Sequence, residues 1–162
     1  MAIQGAKFDQ KEFERFLEEK LSVFDRTLLE IPKGAQGQIL KEKMIELNSY
    51  LGDFNTLLDR AKFKEKQQSR YVERIKALAI KQIFADQKYS SYTGSAKEKM
   101  IEVYDVDLGD GITTSVNEEK GYLEWYSYAV SRFSSTFDDI KNTIMVCVNG
   151  LSYDKQELQS LH

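Results

Sequence analysis

From Leu40 to Ala79, twelve positions follow one another in alternating steps of four and three without a slip: Leu40, Met44, Leu47, Leu51, Phe54, Leu58, Ala61, Glu65, Gln68, Val72, Ile75 and Ala79. Ten of the twelve are apolar. A period of 3.5 residues sustained over five heptads is the signature of a helix seated along a continuous seam, and it is incompatible with a strand, whose side chains alternate every second residue. A second seam runs Leu123, Tyr126, Val130, Phe133, Phe137, Ile140, Ile144, Cys147 and Leu151, and all nine positions are apolar. The chain has a single proline, Pro32, in 162 residues, so nothing interrupts either stretch. Two seams of this length need partners. The expectation is an all-α fold of long coiled-coil-like helices in an antiparallel, oligomeric assembly.

Local signals divide the chain further. Residues 1–162 read as a single helical domain with an N-terminal helix over 1–33, a long helix with a basic end over 36–88, a short helix over 95–104, a long helix over 115–150 and a short C-terminal helix over 153–161. Asp9 with Glu12, Ser95 with Glu98 and Ser115 with Glu118 each match a capping box, in which the first side chain accepts from the third helical amide. Phe13, Phe16, Leu17, Leu21, Phe24, Leu28 and Ile31 carry the first helical period to Pro32. Gly150 breaks the last long seam, and Asp154 opens the final short helix. The stretch from Asp105 to Thr114 is a loop, with a hairpin turn at Gly109, Asp110 and Gly111. At about 1.5 Å per residue, a helix over 36–88 is roughly 75 Å long. It either projects toward another chain or bends near Gly52 or the polar pair Glu65 and Gln68.

Composition removes most catalytic chemistries. The only histidine is His162 and the only cysteine is Cys147, which excludes an internal His base, a disulfide framework and a Cys-rich metal site. Cys147 lies on the apolar seam, where a buried small residue fits better than a nucleophile. No glycine-rich phosphate loop or paired catalytic carboxylates appear, and the Asp105–Ile112 segment fails the calcium-loop register because Asp110 stands where the turn glycine belongs. The reading is therefore non-enzymatic, with no catalytic residues, no metal and no cofactor. No 18-residue apolar stretch and no signal-type N-terminus occur, so the expected partners exclude a membrane and the expected compartment is the reducing cytoplasm (the host cytoplasm for a phage-encoded protein).

Charge is the feature that speaks to function. The net charge is −3, yet residues 60–99 hold 11 basic and 4 acidic side chains, whereas residues 100–162 hold 4 and 11. The outermost heptad position of the second helix falls at Arg60, Gln67, Arg74, Lys81 and Lys88, flanked by Lys62, Lys64, Lys66, Arg70 and Lys76. Such a stripe suits phosphate tracking, since each neutralised phosphate releases a condensed counterion; it also suits a solvated helix face. Phe84, Tyr89 and Tyr92 are interleaved with Lys81, Lys88, Lys97 and Lys99, a pattern that fits single strands, whose bases stack on rings, or loop anchoring. The candidate nucleic-acid-binding residues are Arg70, Arg74, Lys76, Lys81, Lys88, Tyr89 and Tyr92. Trp125, Tyr128, Arg132, Phe133 and Phe137 form a second sticky stripe and are the candidate oligomer interface.

The order of parts resembles the small phage recombination mediators, which load a recombinase onto single-stranded DNA. A helix turns basic from Arg70 to Lys81, a Tyr/Ser/Gly loop runs from Lys88 to Gly94, and a short Lys/Glu helix spans Lys97 to Glu102. A long helix then opens with Trp125 and Tyr126 and passes through Asp138 to Lys141. The likeness covers about residues 40–150. It implies a ring-like homo-oligomer, with Lys76 and Lys81 as the DNA-contacting cations and Arg74 nearby, and a recombinase or another replication or recombination protein as partner. The alternative from the residues themselves is a helical adaptor or inhibitor, such as a phage protein that blocks a host nucleic-acid enzyme. In it the basic block meets an acidic protein, or Asp105, Asp107, Asp110, Glu118, Glu119 and Glu124 mimic DNA phosphates.

Overall fold

The structure, a computed structural model, describes residues 8–161. Four α-helices carry it: α1 (Gln10–Ser22), α2 (Gln38–Ala85), α3 (Gly94–Met100) and α4 (Val116–Ser160), with a single hairpin of β1 (Val106–Gly109) and β2 (Ile112–Thr114). The fold is all-α apart from that hairpin, as the two seams require. All twelve positions of the first seam are buried or half-buried, and Ile83 extends it by one more step.

Backbone contacts group the described residues into two compact units where the sequence reads as a single domain. One holds Phe8 and Ala61–Tyr128; the other holds Asp9–Arg60 and residues 129–161. The division explains the length of α2. Gly52 and the Glu65–Gln68 pair leave it an uninterrupted helix, and its two halves furnish the cores of different units.

In the unit built from α1, the first half of α2 and the second half of α4, the long helices run antiparallel. Gly37 meets Asp154, Leu40 meets Gly150, and Phe54 meets Phe133. Phe24, Tyr50, Phe54 and Phe133 form a chain of edge-on ring contacts through this core. That chain explains why α1 stops at Ser22 instead of continuing to Ile31. Phe24 is turned inward onto Tyr50 and Phe54, and the Asp25 carboxylate accepts from the Thr27 amide at 2.9 Å, opening a 3-10 turn over Arg26–Leu29. Arg26 then pairs with Asp139. The part of the expected 1–33 helix before Phe8 lies outside the described residues. The expected Asp9 cap is present, its carboxylate accepting from the Glu12 amide at 3.1 Å.

Gly150 does not end α4, and no separate helix starts at Asp154. The glycine serves close packing instead: a Cβ there would stand 2.9 Å from Leu40 Cδ1, so the missing side chain is what lets the buried Leu40 seat against α4. Asp154 lies within the same helix and caps a different one, accepting from the Gly37 amide at 3.1 Å ahead of the first turn of α2.

In the other unit, Val72, Ile75, Ala79 and Ile83 of α2 share a core with Ile101, Val106 and Val116. The turn at Asp110 and Gly111 has φ of +53° and +75°, the left-handed pair that a two-residue hairpin demands. The hairpin is clamped to α2 by Gln82, whose side chain donates to the Asp107 carbonyl at 2.8 Å and accepts from the Asp107 amide at 2.9 Å. Helix α3 is capped by Thr93, two residues before the expected Ser95, and it ends at Met100 instead of reaching Tyr104. At α4 the expected cap holds, with the Glu118 amide donating to Ser115 Oγ at 3.1 Å.

Candidate nucleic-acid interface

The half of α2 within Ala61–Ala85 lies with Val72, Ile75, Ala79 and Ile83 on its core, which turns the remaining positions outward. Lys62, Lys64, Lys66, Arg70, Arg74, Lys76 and Lys81 are all exposed. Ion pairs form at Arg15–Glu19, Arg26–Asp139 and Lys120–Glu102, and none of these seven cations is paired with a carboxylate among the described residues. Lys76 is near enough to Glu102 to help hold its carboxyl below the usual range, behind the larger effect of the Lys120 hydrogen bond.

The carboxyl end of this stripe is more mixed. Burial first, then Asp86, Tyr89, Asp107 and Asp105, pushes the Tyr104 phenol up; of these acids Asp86 directly follows α2, and Asp107 is bonded through its backbone to Gln82 of α2. Lys81 and Lys88, on either side of Gln82 and Asp86 in the chain, therefore border an acidic edge.

The aromatic residues separate into two roles. Tyr89 is half-buried against the core, edge-on to Tyr92 and Tyr104 at centroid distances of 5.4 and 6.0 Å, with Lys88 Nζ 5.5 Å from its ring. It anchors the segment after α2, so the expected base-stacking ring is not Tyr89. Tyr92 is 47% exposed and Phe84 is 55% exposed, and Lys97 Nζ lies 4.7 Å from the Phe84 ring centroid. Phe84 and Tyr92 are the open rings here.

A cleft of about 530 Å³ opens between α2 and α4 within the same unit, lined by Lys62, Glu65, Lys66 and Ser69 on one side and Leu123 and Ser127 on the other. Next to it the polar positions of the seam resolve into a network. Gln68 Nε2 donates to Glu119 Oε2 at 2.7 Å and to the Glu119 carbonyl at 2.9 Å, and Thr114 Oγ1 donates to Glu119 Oε1 at 2.8 Å. The buried Glu119 carboxylate is thus held by two neutral donors. The sequence marks Gln68 as a seam irregularity and counts Glu119 among the acids that could imitate phosphates; Glu119 is instead buried, its carboxylate turned to a partner 51 positions away, and it leaves that acidic set. Lys62 and Lys66, one turn apart beside the polar Glu65, were the available signal for the cleft.

Four tyrosines of this unit, Tyr71, Tyr104, Tyr122 and Tyr126, have phenols pushed up, in each case chiefly by burial. Glu119 adds to the effect at Tyr71 and Tyr126, and Tyr122 also donates to Glu118 Oε1 at 2.5 Å. A phenol whose value is raised on folding contributes stability that is complete below the unfolded value of about 10 and is lost as pH rises through the folded one. Denaturant midpoints followed by tyrosine absorbance are therefore expected to fall between pH 9 and pH 11. A midpoint unchanged across that interval would contradict the buried tyrosine environment.

The candidate interface residues fall on both units. Trp125 and Tyr128 meet edge-on at 6.0 Å in one; Arg132, Phe133 and Phe137 belong to the other. Phe133 is only 2% exposed and packs on Phe54, so it is a core residue of its own unit and is withdrawn from the interface set. Cys147 is fully buried and burial pushes its thiol up, which leaves it no reactive thiolate. Among the described residues no group of three His, Cys, Asp or Glu side chains could hold a metal ion, and no helix is long and apolar enough to cross a membrane. Comparison with protein-family models, with curated proteins and with solved structures gives no match to this chain.

Proposed function

We propose that the protein is a non-enzymatic, self-assembling helical accessory protein that binds single-stranded DNA along the outer face of α2 and assists recombination or replication. The observation that carries this reading is the run of seven exposed cations from Lys62 to Lys81 without a single ion-pair partner among the described residues. A face kept merely for solubility tolerates interleaved acids; here only Glu65 and Glu73 intervene. Phe84 and Tyr92 favour a single strand over a duplex, because open rings beside cations suit unstacked bases. The resemblance in the order of parts to recombination mediators supports a recombinase as the protein partner, with Trp125, Tyr128, Arg132 and Phe137 serving self-assembly.

A second reading draws on the exposed acids of the hairpin, Asp105, Asp107 and Asp110. In it the protein is an adaptor or inhibitor whose acidic edge imitates phosphates on a nucleic-acid enzyme. One titration separates the two. A fluorescently labelled single-stranded oligonucleotide is expected to raise its anisotropy on binding, with log affinity falling against log salt at a slope of about −3 to −5, or about 0.7 per phosphate engaged. Absence of binding at low salt overturns the DNA reading and leaves the adaptor.

A further inference from the structure

We propose, building on the single-strand reading above, that the cleft between α2 and α4 seats one nucleotide of the bound strand and selects for a base with an exocyclic amino group. Its volume of about 530 Å³ lies in the range that holds a small ligand. Lys62 and Lys66 stand one helical turn apart on its wall, both exposed and neither ion-paired among the described residues, so both ammonium groups are available to one phosphate. Ser69 and Ser127 bring a hydroxyl donor from each side, and Leu123 supplies apolar surface for a base.

Glu65 is what makes the cleft more than an anion trap. It occupies a seam position, is half-buried, and among the described residues receives no hydrogen bond and no ion pair, although Lys62 and Lys66 line the same cleft. A carboxylate that accepts from no protein donor keeps its acceptor capacity for an N–H brought to it, in exchange for water. Phosphates cannot supply that donor. The amino groups of cytosine, adenine and guanine can, and carboxylate acceptance from cytosine N4 is an established base-edge pairing. Thymine presents no amino group. The cleft therefore has a use for both ends of an amino-bearing nucleotide: its phosphate at the two lysines and its base edge at Glu65.

The test compares oligodeoxycytidine with oligothymidine, each about 15 nucleotides long, by anisotropy at low salt. Both are pyrimidines, so stacking differs little between them. The unaltered chain is expected to bind the cytidine strand at least about fivefold more tightly. Glu65→Leu places an apolar residue in the seam, a change the helix accepts, and circular dichroism checks that it does. In this variant the preference is expected to fall to about one. Lys62→Ala with Lys66→Ala is expected to weaken both strands about tenfold. Equal binding of the two strands by the unaltered chain, a preference that survives Glu65→Leu, or unchanged affinity in the double alanine variant would each overturn the nucleotide seat while leaving single-strand binding in place. Failure of either strand to bind would remove both.

Discussion

A chain carrying Arg74→Glu, Lys76→Glu and Lys81→Glu is expected to lose single-strand binding by at least about a hundredfold while keeping its helicity. All three side chains are exposed on α2 and none is ion-paired among the described residues, so their removal leaves no buried charge stranded. Glu has nearly the helix propensity of Lys and Arg, and the change at an outer position leaves the seam untouched. The functional cost is larger than the loss of three contacts, because three repulsive charges replace three attractive ones along the path of the backbone. If each cation engages one phosphate, the salt slope should shrink by about 2. Lys41→Glu, an exposed change on α2 in the other compact unit, is the matched control and should move affinity little. A triple variant that binds as tightly as the parent would show that the stripe is not the binding face.

The largest effect on stability is expected from Phe54→Ala. Phe54 is 1% exposed and touches Phe24 and Phe133 edge-on, at centroid distances of 5.9 and 6.4 Å. Truncation removes the transfer free energy of the ring, leaves a cavity between α2, α4 and the segment carrying Phe24, and forfeits two aromatic contacts, for about 3–5 kcal/mol in all. Phe63, 61% exposed on the same helix, is the comparison, and its alanine variant should fall within about 0.5 kcal/mol of the parent. Chemical denaturation followed by circular dichroism measures both. A Phe54→Ala cost below about 1 kcal/mol would mean that the ring chain is not the core of its unit.

The seams were legible because a 3.5-residue period is a local property of the chain. The inward positions from Leu40 to Ala79 came out buried or half-buried without exception, and the Asp110–Gly111 turn was fixed by the backbone freedom those two residues allow. The misreadings share a different origin. Gly150 looks like a helix breaker until Leu40, more than a hundred positions away, is seen to need its empty side. Phe24 continues the periodicity of α1 perfectly well, and only its attraction to Tyr50 and Phe54 takes it out of the helix. In the candidate interface, the exposure of Lys62 to Lys81 followed from the seam register. The division of labour among Phe84, Tyr89 and Tyr92 did not, because it depends on Tyr104 arriving beside Tyr89 from beyond α3. Glu119 and the cleft likewise exist only once α4 lies against α2.

The cap that Asp154 provides to Gly37 has a consequence for how the chain is made. During synthesis α2 emerges with nothing to satisfy its leading amide, and the residue that completes it is 117 positions further on. At ribosomal speed that is a delay of roughly ten seconds, far longer than a helix needs to form and melt many times over. The Gly37 amide is therefore left to water on the nascent chain and gains its side-chain cap only once Asp154 has left the tunnel, so the start of one helix waits on a residue near the end of another.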